Sequence, residues 1–230
     1  MNRRAVVHGL LAGAALTLAP GVTLLRAAPV AAPGRRWGLL IDAGRCREGC
    51  DACVDACQAE HGWGGHGLGA ADPHWIRKVE FSGGGAARSA PVMCQHCGDA
   101  PCVQVCPTTA SFQRADGIVL VDRHRCIGCR YCIMACPIKA RSFVHDTITG
   151  QHGHAPRGKG TAEGCTLCAH RVDAGRLPAC VEACAGQAGA MLFGDLNDPA
   201  SEIAQAVRRH AATRLRPDLG LDAGVAYLDL

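Results

Sequence analysis

The sequence predicts an α+β fold of small antiparallel sheets, short helices and Gly-rich loops, and three observations predict it. Sixteen cysteines fall into four groups of four. Aromatic residues make up only 4% of the chain, so the interior must be filled by Ala, Val, Leu and whatever the cysteines bind. Short β-like runs flank the cysteine loops. With 48% hydrophobic and 19% charged residues, the composition excludes a disordered chain or a nucleic-acid-binding tail. A length of 230 residues allows one large domain or two small ones.

Residues 1–34 read as an export signal and linker. Asn2-Arg3-Arg4 precedes an uncharged apolar stretch from Leu10 to Leu25, followed by the small residues Ala27 and Ala28. The paired arginines point to the twin-arginine route, which carries proteins already folded. Asn2 and Ala5-Val6-Val7 depart from that signal's usual hydroxyl residue before the arginines and Phe after them, and no clean A-x-A cleavage site is present. The rival reading is an uncleaved anchor, but Pro20-Gly21 interrupts the stretch and a spanning helix needs about 20 apolar residues. Of the formal net charge of +4, Arg3, Arg4 and Arg26 belong to this leader. The rest carries about +1, which implies no basic partner surface and no nucleic acid.

The body divides by its cysteine groups. Residues 35–90 hold a strand at Trp37–Asp42, the first group (Cys46, Cys50, Cys53, Cys57), and Gly-rich loops at 62–69 and 83–85 around a less regular strand at Trp75–Phe81. Residues 91–146 hold the second group (Cys94, Cys97, Cys102, Cys106), a strand at Ile118–Val121, the third group (Cys126, Cys129, Cys132, Cys136) and a strand at Arg141–Val144. Residues 147–197 hold the fourth group (Cys165, Cys168, Cys180, Cys184) and a strand at Met191–Phe193. Residues 198–230 form a C-terminal helix and tail, with Asp198-Pro199 as cap and first position and Ile203 and Val207 on the inner face. Gly158-Lys159-Gly160-Thr161 is no phosphate loop, because Gly160 breaks the G-K-[ST] order.

Every group ends in C-x3-C, and the third, Cys126-Ile-Gly-Cys129-Arg-Tyr-Cys132-Ile-Met-Ala-Cys136-Pro137, is the C-x2-C-x2-C-x3-C-P run of bacterial ferredoxins. Three thiolates within seven residues can wrap three iron corners of one cubane, and the C-x3-C step carries the fourth thiolate to a neighbouring cluster. Disulfides suit an even cysteine count in an exported protein, but a disulfide framework does not repeat a three-cysteine loop. Structural zinc accounts for C-x2-C pairs but not for the third cysteine in each of the first three loops. Covalent haem needs C-x-x-C-H, and His170 is one residue out of register after Cys165 and Cys168.

The ferredoxin crossover rule pairs the second and third groups, which both end in Cys-Pro. Cys94, Cys97 and Cys102 then share a cluster with Cys136, and Cys126, Cys129 and Cys132 share one with Cys106. The outer groups are left to pair as Cys46, Cys50, Cys53 with Cys184, and Cys165, Cys168, Cys180 with Cys57. The fold is thus two interleaved bacterial-ferredoxin-like modules holding four [4Fe–4S] clusters on all sixteen cysteines. Four oxidised clusters with their thiolates move the net charge to roughly −7. Positive side chains near the clusters, such as Arg125, Arg130, Lys139 and Arg171, are candidates to tune potentials, with ordinary surface charge as the default reading. Of the eleven histidines, His96 and His124 sit beside cysteine loops, where hydrogen bonding and packing suffice to explain them. No Ser/His/Asp set, paired carboxylates or nucleotide motif stands out, so no catalytic residue is expected.

The four-group order resembles the four-cluster iron–sulfur subunits of the dimethyl sulfoxide reductase and complex iron–sulfur molybdoenzyme families. Trp37–Asp42, Pro91–Cys97, Gly117–His124, Ala140–His145, His154–Gly160 and Phe193–Pro199 look most like the DsrO family, periplasmic subunits of the DsrMKJOP membrane complex of sulfur metabolism. The first group departs from the superfamily pattern, with C-x3-C from Cys46 to Cys50 where C-x2-C is common. The resemblance implies a non-enzymatic subunit passing single electrons between an NrfD/PsrC-type, DsrP-like membrane quinone subunit and a periplasmic redox partner, alongside a DsrJ-like multihaem cytochrome c. The alternative is the iron–sulfur subunit of a molybdopterin oxidoreductase of polysulfide, tetrathionate or nitrite reductase type. A third reading is a zinc-stapled interaction module.

Overall fold

Residues 34–64, 67–83 and 86–230 are described in the computed structural model. Residues 1–33, Gly65, His66, Gly84 and Gly85 lie outside the described residues, and with them all but the last residue of the 1–34 segment read as an export signal and linker. No described helix is long and apolar enough to cross a membrane.

The largest sheet has three strands, β1 at Trp37–Asp42, β8 at Met191–Asp195 and β9 at Val225–Leu228, with β1 in the middle. The β1 sequence Trp-Gly-Leu-Leu-Ile-Asp separates its two faces by the period of two that a pleat imposes. Leu39 and Ile41 face the core with Val225 and Tyr227, whereas Leu40 faces the other way with Ala226. Against Leu40 packs helix α6, Glu202–Arg209, through Ile203 and Ala206, with Val207 at its margin. The sheet corrects the expectation of purely antiparallel pairing. β1 and β8 are antiparallel, from Trp37 opposite Asp195 to Ile41 opposite Met191, but β9 joins β1 in parallel, from Leu39 opposite Val225 to Asp42 opposite Leu228. The expected tail therefore contains a strand.

α6 also begins later than its sequence suggests. Its N-cap is Ser201, whose Oγ accepts from the Ala204 N–H at 3.2 Å. Asp198 instead closes the preceding turn, its side chain accepting from the Ala200 N–H at 2.9 Å. Both are capping residue types, and Ser201 alone is placed to reach the free N–H groups of the first turn.

The irregular strand at Trp75–Phe81 becomes β2, Ile76–Gly83, paired in antiparallel register with β3, Ala86–Met93. Gly83 thus lies in a strand rather than a loop. Two short ladders complete the sheets: β4 (Ser111–Gln113) with β5 (Val119–Val121), and β6 (Ser142–Phe143) with β7 (Ala162–Glu163).

The remaining helices carry the cysteines. α1 (Ala52–His61) bears Cys53 and Cys57, and packs on α5 (Ala179–Ala185), which bears Cys180 and Cys184. α2 (Pro101–Gln104) bears Cys102 and packs on α3 (Tyr131–Ala135), which bears Cys132. α4 (Ala169–Val172) follows Cys168 directly. The main core joins the inner face of the large sheet, Trp63, Trp75 and Ile118 to Cys53, Cys57, Cys180 and Cys184.

Candidate iron–sulfur sites

The cysteine loops bend sharply. Positive φ occurs at His96 (44°) in the second loop, Arg130 (64°) in the third, and Leu167 (51°) and Cys168 (47°) in the fourth. Thr109 (54°) and Lys139 (55°) repeat the feature three residues after Cys106 and Cys136. Such conformations cost energy at non-glycine residues and persist where the surroundings impose them. Gly128, inside the third loop, has φ of 73°, and a Cβ there would lie 2.4 Å from the Gly160 carbonyl oxygen. The Gly158–Thr161 segment thus serves as a docking surface for a cysteine loop.

Three pockets are each lined by four cysteines. One is lined by Cys46, Cys50, Cys53 and Cys184. A second is lined by Cys106, Cys126, Cys129 and Cys132. A third is lined by Cys94, Cys97, Cys102 and Cys136. The remaining four, Cys57, Cys165, Cys168 and Cys180, form another cluster of mutual electrostatic neighbours. The same four-thiol lining, repeated, suits one recurring object, and a cubane that takes four thiolates fits that donor set.

Burial shapes these thiols. It pushes Cys53, Cys57 and Cys97 up to about 12, and Cys94 and Cys168 up to about 11. Cys106 moves the other way, because hydrogen bonds from Ser111, Thr108 and Ala110 outweigh its slight burial. Backbone N–H groups aim at the sulfurs: Ser111 at Cys106 (3.3 Å), Ala140 at Cys136 (3.4 Å), Leu167 at Cys165 (3.3 Å) and Ala190 at Cys184 (3.3 Å). Such bonds are among the means by which a protein sets cluster potentials.

Side chains add to them, and these were not the ones nearest in sequence. Lys78 on β2 donates from Nζ to Cys46 Sγ at 3.2 Å and to the Cys50 carbonyl at 3.0 Å. Arg141, buried, donates to Cys102 Sγ at 3.4 Å and to Ser111 Oγ at 3.1 Å, and its charge also acts on Cys94 and Cys132. Trp63 Nε1 donates to Cys57 Sγ at 3.2 Å. By contrast Arg130 stacks on Phe143, Arg125 donates to Thr109 Oγ1, and Arg171 binds Glu60 and Glu182. Replacing Lys78 by Met is expected to lower the potential of the centre at Cys46 by about 50–100 mV, the effect of removing one partly screened charge at a few ångströms. A redox titration followed by EPR measures it, and an unchanged potential refutes the assignment.

His96 is buried, its Nδ1 accepts from the Val119 N–H at 3.0 Å, and burial pulls it down to about 3. It is a neutral packing residue. His124 is exposed. A histidine group that the sequence did not reveal lies at the end of α1, where one ring nitrogen each of His61, His154 and His170 comes within 4.8 Å of the others. Separated widely along the chain, these three share no spacing signal.

Cysteine-lined cavities, N–H groups aimed at sulfur and cations against the thiols define an iron–sulfur electron-transfer protein. The family model for the 4Fe-4S dicluster domain matches residues 87–196. A tetrathionate reductase subunit of Salmonella typhimurium is 41% identical over 86% of this chain and 74% of its own length. The Hdr-like menaquinol oxidoreductase iron-sulfur subunit 1 of Archaeoglobus fulgidus is 38% identical over 85% of this chain and 84% of its own. Protein NrfC of Escherichia coli is 38% identical over 81% and 78%. The chain belongs to the 4Fe-4S dicluster ferredoxin-type iron–sulfur subunits of oxidoreductase complexes, and its cofactors are four [4Fe–4S] clusters.

Proposed function

We propose that this chain is the electron-transfer subunit of a molybdopterin oxidoreductase acting on an oxidised sulfur or nitrogen compound, of the tetrathionate, polysulfide or nitrite reductase type. The observation that carries it is the set of four cysteine quartets, each gathered from two groups of the chain. We assign one cluster to each quartet: Cys94, Cys97, Cys102, Cys136; Cys126, Cys129, Cys132, Cys106; Cys46, Cys50, Cys53, Cys184; and Cys165, Cys168, Cys180, Cys57. Clusters so held supply one-electron steps. The chain's residues exclude water and offer N–H groups and cations to the sulfurs. Relatives named for tetrathionate, dimethyl sulfoxide and sulfite chemistry support this partner class over the DsrMKJOP-type complex expected from the sequence motifs.

Cys129 is the one exposed cysteine of the sixteen, and Ile127 (67% exposed), Tyr131 (53%) and Met134 (65%) present apolar side chains beside it. Electrons pass to a partner most readily where a cluster is nearest the surface, so we place the handover there. A second reading keeps the DsrO-like role, with a quinone-interacting membrane subunit and a multihaem cytochrome, and is favoured by the menaquinol oxidoreductase relative. In both, the chain works at the periplasmic face after export through the Arg3-Arg4 leader. Metal and haem analysis of the native complex, pulled from fractionated cells by a tag on this chain, separates them. Molybdenum without haem c is expected; haem c without molybdenum selects the second reading, and a lone chain holding zinc in place of iron refutes both.

A further inference from the structure

His61 closes α1, His154 sits in the loop before β7, and His170 lies in α4. Their rings meet in a tight group: His154 stacks on His170 with centroids 4.2 Å apart, and His61 stands edge-on to His170 at 5.4 Å. Each ring has Nε2 committed. His154 donates to the Glu60 carbonyl oxygen at 2.8 Å, His170 donates to Glu60 Oε1 at 2.6 Å, and His61 Nε2 lies 3.3 Å from Cys168 Sγ. Nδ1 of His61 is buried without a hydrogen-bond partner, in a side chain only 2% exposed. A buried polar nitrogen left so needs an explanation.

We propose that His61, His154 and His170 bind one divalent transition-metal ion, of the zinc class, outside the iron–sulfur clusters. Three imidazoles with one position open to a pocket are the donor set such ions take. Glu60 lies against two of the rings, its backbone carbonyl accepting from His154 and its Oε1 from His170, the kinds of partner found beside metal-binding histidines. Glu60 brings a negative charge beside the rings, held in place by Arg171 at 2.8 Å. The loop bearing His154 is pinned by the buried pair of Arg157 and Glu163 (2.8 Å) and by Arg157 on the Gly62 carbonyl. The open side faces a pocket lined by Trp75, Leu120, Asp122, Arg123 and Thr166, leaving room for water as fourth ligand. Through His61 the ion sits one side chain from Cys168, which couples it electrostatically to the cluster assigned there.

The test uses the full chain with its iron in place. After equilibration with Zn²⁺ and gel filtration, one zinc per chain is expected above an unchanged iron content, with X-ray absorption showing nitrogen at about 2.0–2.1 Å and no sulfur at about 2.3 Å. His154→Ala and His170→Gln are each expected to weaken zinc binding at least 100-fold with iron retained. Glu60→Gln is expected to weaken it by about 10- to 100-fold. His61, being buried, is left unaltered. Failure to retain zinc, sulfur in its coordination shell, or unchanged affinity in both histidine variants overturns the proposal. None of these outcomes alters the iron content, so the electron-transfer reading stands or falls separately.

Discussion

Stripping iron anaerobically with a chelator unfolds the chain, with loss of most far-UV helical signal and of amide protection in α1 and α5. Helices of four, five and seven residues are far below the length at which a helix holds itself in water. The cores that should hold them are themselves built on thiols, Cys102 and Cys132 around α2 and α3, and Cys53, Cys57, Cys180 and Cys184 around α5. A domain of this size is stable by about 5–15 kcal/mol in total. Metal sites built from cysteines contribute on the order of 10 kcal/mol each, so losing four exceeds the whole margin.

Burial in the folded arrangement raises the Cys53, Cys57 and Cys97 thiols to about 12, so they are protonated there at neutral pH. Protonated thiols at neutral pH mean that cluster insertion releases protons. Native-like circular dichroism and amide protection in the iron-free chain contradict this account.

Replacing Cys136 by Ser destroys the cluster assigned to Cys94, Cys97 and Cys102, although Cys136 belongs by sequence to the third group. Cys136 lines the same cavity as those three, while Cys106 lines the cavity of Cys126, Cys129 and Cys132. The exchange has a local cause. α2 and α3 lie against one another, and each C-x3-C step leads its last cysteine past the end of its own helix towards the other's loop. EPR of the reduced Cys136→Ser protein should lack one S = 1/2 signal and keep that of the Cys126 loop, and Cys106→Ser should give the reverse. Loss of the Cys126 signal in the first variant refutes the crossover.

Much of this was legible because cysteine spacing is a short-range code. The third group encodes its loop, its helix and its exit within a dozen residues, and β1 and β8 show their faces in runs as short as Met191–Phe193. What escaped was long-range. β3 reads Ala-Ala-Arg-Ser-Ala-Pro-Val-Met, poor in β-branched residues and interrupted by Pro91, and is a strand because β2 lies beside it. Asp198 and Ser201 offer the same capping chemistry three residues apart, so the start of α6 was ambiguous until the turn was seen. Lys78 and Arg141 reach sulfurs more than thirty residues away, whereas Arg125, Arg130 and Arg171 make their side-chain contacts with Thr109, Phe143 and the Glu60–Glu182 pair.

The parallel strand β9 has a consequence in time. β1 is the first element among the described residues and the centre of its sheet, yet both of its neighbours, β8 and β9, come from the last forty residues. On the ribosome, β1 therefore emerges with both edges bare and waits until β8 and β9, more than 140 residues later, have been made. At synthesis rates of about 5–20 residues per second, that interval is about ten seconds or more, far longer than helices or hairpins need to form. The inner cysteine loops and the β2–β3 hairpin can organise during it, whereas the sheet against which α6 and the outer cysteine helices rest cannot. The inner part of the described fold is thus free to organise first, and the closing step waits for β8 and β9.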